Sequence, residues 1–170
     1  RLPLPWGTTR MLLLSLLDAL SHAHARGVIH RDLKPGNILL CAPDDPRPGL
    51  KLSDFGIAAP LLAAMDDNAE QGRLSGTPRY MAPEQFQARW RDFGPWTDLY
   101  AIGCIAYQLA TGKTPFGGDA LRLAIAHCHD APEKPVPKHE GYPAGFDSWV
   151  LRLLEKEPLR RFLCAADAAW

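Results

Sequence analysis

The chain has 170 residues, enough for one domain with a substantial core, and its 46% hydrophobic and 22% charged residues make an ordinary globular mixture. Lysine plus arginine and aspartate plus glutamate both number 19, so no global field draws it to nucleic acid or to an acidic membrane. The 16 prolines and 14 glycines require many irregular connections, as in a site built on loops.

Arg1 to Gly7 reads as a loop, and Thr8 or Thr9 can cap a helix that runs to about Arg26, with Gly27 placed to end it. Leu13, Leu16, Leu17 and Leu20 share one helical face, and Met11, Leu12 and Leu14 widen it, so burial on most sides is expected. Arg10 and the leucines after it imitate a signal peptide, but Asp18 interrupts the run and a buried helix is preferred. No segment reaches the apolar length that spans a bilayer. Val28 to Leu40 then sets a polar loop between two apolar flanks, Val28-Ile29 and Ile38-Leu39-Leu40, which should be buried. The loop carries His30, Arg31, Asp32, Lys34 and Asn37, and Pro35-Gly36 prevents a helix through it. Acid, cations and amide gathered on one loop are costly for folding and usually handle charge.

Ile38–Cys41 and Leu50–Ser53 read as paired short strands around a proline- and aspartate-rich turn. Ile57 to Ser75 shows no period and reads as a surface loop. Thr97 to Thr111 is apolar nearly all round and belongs at the centre of a domain, with Thr97 as N-cap and Gly112 as stop. Further helices are expected over 119–127 and 146–156, the latter with Trp149, Val150, Leu153 and Leu154 inward. His127, Cys128 and His129 point in different directions on a helix and are read as structural. Cys41, Cys104, Cys128 and Cys164 have no C-x-x-C spacing, which fits a reducing, cytoplasmic setting better than a disulfide framework. There is no internal repeat and no domain boundary.

His30 to Asn37 fills every fixed position of H-R-D-L-x-x-x-N, and so resembles the catalytic loop of eukaryotic-type protein kinases. Two further motifs follow in the order that family has them: Asp54-Phe55-Gly56 on the hairpin, and Ala82-Pro83-Glu84 closing Gly76-Thr77-Pro78-Arg79-Tyr80-Met81. The Lys34-Pro35-x-Asn37 form and Thr77 resemble the serine/threonine class, in its bacterial eukaryote-like branch. The fold expected from the resemblance is α+β and mainly α, a protein-kinase-like C-terminal lobe with a small β-hairpin at the active-site edge. Residues 1–170 would be a partial kinase domain, because no G-x-G-x-x-G and no V-A-I-K-type lysine occurs. Its first partner would be the N-terminal lobe of its own chain, without which this segment is expected to be inactive. The second would be a protein with a serine or threonine acceptor, in signal transduction; no contact with nucleic acid or membrane is expected.

The resemblance also implies roles. The reaction moves the γ-phosphate of ATP, with Mg²⁺, to a hydroxyl, and it needs positioning and charge compensation more than covalent help. Asp32 would orient the hydroxyl proton and Lys34 would offset charge on the transferring group. Asn37 and Asp54 would be oxygen ligands for Mg²⁺, with Gly56 permitting the turn that aims Asp54. His30 and Phe55 would stack between lobes, Asp98 would tie the loop backbone to the central helix, and Arg161 would pair with Glu84. Thr77 would bridge Asp32 and Lys34. Arg31 wants an anion, and Ser75 is the sole hydroxyl between Ile57 and Gly76. Asp66, Asp67 or Glu70 is expected to substitute in part for a phosphate there. Two other readings remain open: a pseudokinase-like binding scaffold, and a small-molecule phosphotransferase.

Overall fold

The computed structural model describes residues 2–42, 44–55 and 77–169. Helix α1 spans Trp6–His24, followed by a β-hairpin of β1, Ile38–Cys41, and β2, Gly49–Leu52. Then come the short α2, Pro83–Phe86, the long α3, Pro95–Thr111, and α4, Ala120–His129. Helices α5, Phe146–Leu153, and α6, Ala165–Ala168, close the chain. The described residues are therefore a helical unit with one two-stranded antiparallel sheet. None of these helices is long and apolar enough to cross a membrane.

The centre is α3. Leu99, Tyr100, Ile102, Cys104, Ile105, Ala106 and Tyr107 are buried along it, so its apolar circumference meets protein on nearly all sides. Helix α1 delivers Leu13, Leu16, Leu17 and Leu20, and α5 delivers Phe146, Val150 and Leu153 to the same cluster. At Gly103 the α5 backbone comes so close that an added Cβ would lie 2.8 Å from the Leu153 Cβ. Lys156 finishes α4 from outside: its Nζ donates to the carbonyls of Ala126 and His127, at 3.1 and 2.8 Å, while lying 4.5 Å from the centre of the Phe116 ring.

Several boundaries differ from the sequence expectations, each for a local reason. α1 starts at Trp6 with Pro5 as its N-cap, because Pro at that edge gives up no needed N–H. Gly27 does stop it: at φ 73° its N–H donates to the His24 carbonyl, and the Val28 N–H donates to Ala23. α1 is buried along one stripe rather than on most sides, and Met11 remains 59% exposed. α3 begins two residues before Thr97, after Gly94; Thr97 Oγ1 instead accepts from the Gly94 N–H at 3.2 Å. α4 is capped by Asp119, which accepts from the Arg122 N–H at 2.8 Å, and runs on to His129. α5 stops at Leu153, and β2 is Gly49–Leu52 rather than 50–53.

The flanks of the polar loop are the larger correction. Val28, Leu39 and Leu40 are 43%, 48% and 66% exposed. Ile38, Leu50 and Leu52 pack one face of the hairpin against the core and Leu39 lies on the other face; Leu40 shares the packed face but, one pair nearer the turn, stays exposed. The register sets Ile38 opposite Leu52 and Leu40 opposite Leu50.

Candidate active site

The loop between α1 and β1 is fixed from three directions. From α3, Asp98 Oδ2 accepts the His30 N–H and Oδ1 accepts the Arg31 N–H, both at 2.8 Å. From α2, Gln85 Nε2 donates to the Arg31 carbonyl at 2.7 Å. From the end of β2, the Ser53 carbonyl accepts from His30 Nε2 at 2.9 Å. That bond leaves the proton on Nε2, so Nδ1 accepts the Asp32 N–H at 3.3 Å. The His30 ring also lies 4.6 Å from the Phe55 ring. These bonds hold Arg31 at φ 65°, a conformation a non-glycine residue keeps only when its surroundings over-determine it.

Asp32 stands on this platform half-buried. Its Oδ2 accepts from Lys34 Nζ at 2.7 Å and from Asn37 Nδ2 at 3.2 Å. Asn37 Nδ2 also donates to the Asp32 carbonyl at 2.8 Å, which fixes the amide plane. No donor among the described residues reaches Asp32 Oδ1 or Asn37 Oδ1. Backbone continuity to the hairpin comes from the Ser53 N–H donating to the Asn37 carbonyl at 3.0 Å. Asp54, the next residue, takes φ 53°; its carboxylate is exposed, with Ser53 Oγ 3.2 Å from Oδ2. Asp32, Lys34 and Asn37 thus meet at the start of the hairpin, with Asp54 just beyond the end of β2 and with Asp32 Oδ1 and Asn37 Oδ1 taking no donor from the described residues.

A second polar assembly lies behind this site. Glu84 and Arg161 are fully buried and joined by two bonds of 2.8 Å, Nη1 to Oε1 and Nη2 to Oε2. The guanidinium spends its remaining N–H groups on the carbonyls of Glu155, Trp96 and Lys156. Thr97 Oγ1 donates to Glu84 Oε1 at 3.0 Å. A paired and fully hydrogen-bonded charge is the form in which burial is tolerated.

Thr77 opens a 3-10 turn through Tyr80, and its side chain is outside the description. Gly56, Ser75, Asp66, Asp67 and Glu70 lie outside the described residues. Two residues the sequence reading passed over belong to the assembly. Gln85 reaches the loop across 54 residues, and His24 Nε2 sits 2.8 Å from Asp98 Oδ2 across 74. No local pattern marks either.

The protein kinase domain model matches residues 3–167. Among curated proteins, the chain is 42% identical over 96% of its length to serine/threonine-protein kinase Pkn1 of Myxococcus xanthus. It is 37% identical over 88% to serine/threonine-protein kinase PknB of Mycobacterium tuberculosis, and 36% over 92% to a probable PknB of Bifidobacterium longum. It spans 23%, 23% and 22% of the lengths of these relatives, so what it shares with them is the kinase domain region. A matched segment running almost from end to end, together with the loop geometry above, places this chain in the protein kinase domain family.

Proposed function

We propose that the chain forms the C-terminal, catalytic lobe of a serine/threonine protein kinase, moving the ATP γ-phosphate to protein hydroxyls. The observation that carries this is Asp32: one carboxylate oxygen is held by Lys34 and Asn37, and the other takes no donor from the described residues. An incoming hydroxyl can donate to Oδ1 without displacing either partner. Lys34, already on Oδ2, lies where an ammonium offsets negative charge as the phosphoryl group is transferred. The loop backbone needs no rearrangement, since Asp98, Gln85 and Ser53 hold it.

Mg²⁺ and ATP fit the residues present. Asn37 has its N–H side committed, so it offers Oδ1, and the exposed Asp54 offers a carboxylate; both are the hard oxygens Mg²⁺ takes. When bound, the metal neutralises phosphate charge and ATP supplies the phosphoryl group. The Gly-rich loop and strand lysine that would cover the nucleotide are supplied by an N-terminal lobe, and the domain works in the cytoplasm, where ATP is available. The exposed Leu39 and Leu40 beside the site suit contact with that lobe.

The test is transfer of labelled phosphate by the full-length protein to a mixed protein substrate, followed by phosphoamino-acid analysis. Phosphoserine and phosphothreonine are expected. Label on phosphotyrosine, or on sugars and aminoglycosides but not on protein, would overturn the assignment.

A further inference from the structure

The Asp98 carboxylate is 1% exposed and meets three donors. Two are the backbone amides of His30 and Arg31; the third is His24 Nε2, at 2.8 Å from the Oδ2 that also accepts from His30. A carboxylate only accepts, so Nε2 carries the proton in this contact. His24 sits in the last turn of α1 with its side chain 6% exposed, and its other nitrogen, Nδ1, is buried with no hydrogen-bond partner among the described residues. A buried ring that leaves one nitrogen unsatisfied is poorly placed for its own stability. Its Nε2, by contrast, is the sole side-chain donor among the described residues on the carboxylate that holds the strained Arg31 backbone.

We propose that His24 is a positioning residue for the catalytic loop. Its Nε2–H fixes the rotation of the Asp98 carboxylate. Asp98 in turn holds the His30 and Arg31 amides, and through them the place of the Asp32 side chain. Without that donor, Oδ2 keeps only the His30 amide, and the orientation of the carboxylate rests on the two loop amides it is meant to hold. Arg31 then loses part of what maintains its left-handed conformation, and Asp32 loses its register with Lys34 and Asn37. The catalytic part of this inference rests on the kinase reading; the structural part does not.

The experiment uses the full-length protein and compares wild type with His24→Leu and His24→Gln. Leucine keeps the bulk without the donor, while the glutamine amide nitrogen reaches about as far as Nε2. Hydrogen exchange of a peptide covering residues 28–33 reports on the two amides without requiring activity. His24→Leu is expected to speed exchange there more than in α3 and to lower kcat about 10- to 100-fold, the scale of a displaced catalytic group. KM for ATP should stay near the wild-type value, and His24→Gln should restore both exchange and kcat. If His24→Leu does not fold, His24→Asn, whose shorter amide cannot reach Oδ2, replaces it. Unchanged exchange over 28–33, or a glutamine variant as impaired as leucine, would overturn the proposal. A wild-type protein that transfers no phosphate would refute the kinase reading, while the exchange comparison would still decide the role of His24.

Discussion

The Glu84–Arg161 pair shows at single-residue scale what the described structure stakes on its polar groups. All five guanidinium N–H groups are used, and the carboxylate takes a third bond from Thr97. Removing one partner leaves a buried charge alone, a loss of about 3–5 kcal/mol. Arg161→Ala should therefore lower the denaturation free energy by that amount in equilibrium urea unfolding; a loss below about 1 kcal/mol would show the charge finds water. The residues of the polar loop were legible because they are contiguous, so one short stretch displays acid, cation and amide together. Asp98 and Arg161 were legible only through the family resemblance, since nothing local marks an acid in an N-terminal helical turn or an arginine after Pro158 as a long-range partner. His24 and Gln85 were not legible at all. Their partners are fixed by how α1 and α2 lie against α3 and the loop, which no spacing within either segment encodes.

Among the elements, α3 was the plainest in the sequence, because an apolar helix with no polar face has only the centre of a domain to occupy. Its glycine carries a sharper expectation. In an exposed helix, alanine for glycine gains about 1 kcal/mol of propensity. At Gly103 the new Cβ would meet the Leu153 Cβ, a rigid atom on the facing helix, at 2.8 Å. Overpacking of that kind costs about 1–3 kcal/mol, so Gly103→Ala should lower the melting temperature; a rise would mean that α5 moves away freely. The hairpin was read correctly in pairing and, to within one residue of β2, in place, but not in burial. Strand pattern cannot say whether a second layer covers a sheet or how far the core reaches along it, and here Leu39, on the uncovered face, and Leu40, nearer the turn, are both exposed.

For the molecule as a whole, acid stability has an identifiable source. Burial pushes the His127 imidazole down to about 3, and the neighbouring Lys156 ammonium adds to the shift. The ring is packed edge-on against Phe116 and stacked near Phe86, with Nδ1 2.9 Å from the Tyr100 hydroxyl. Its folded value lies below the ordinary 6.5, so the unfolded chain binds more protons between about pH 3 and 6.5. Stability from this group is complete above that window and is lost as pH falls through it, by up to a few kcal/mol. His127→Gln should flatten the fall in melting temperature between pH 6.5 and 4; an unchanged slope would assign the loss to the carboxylates.

The most direct test of the catalytic assignment is phosphate transfer from labelled ATP by the full-length protein, wild type against Asp32→Asn. The substituted amide can still fill its place against Lys34 and Asn37, so the fold and Mg²⁺–ATP binding should persist. Its carboxylate function is gone, and transfer to serine and threonine should drop by about 100-fold or more, the range expected when a positioned base is removed. Transfer at the wild-type rate by Asp32→Asn would contradict the role given to this loop.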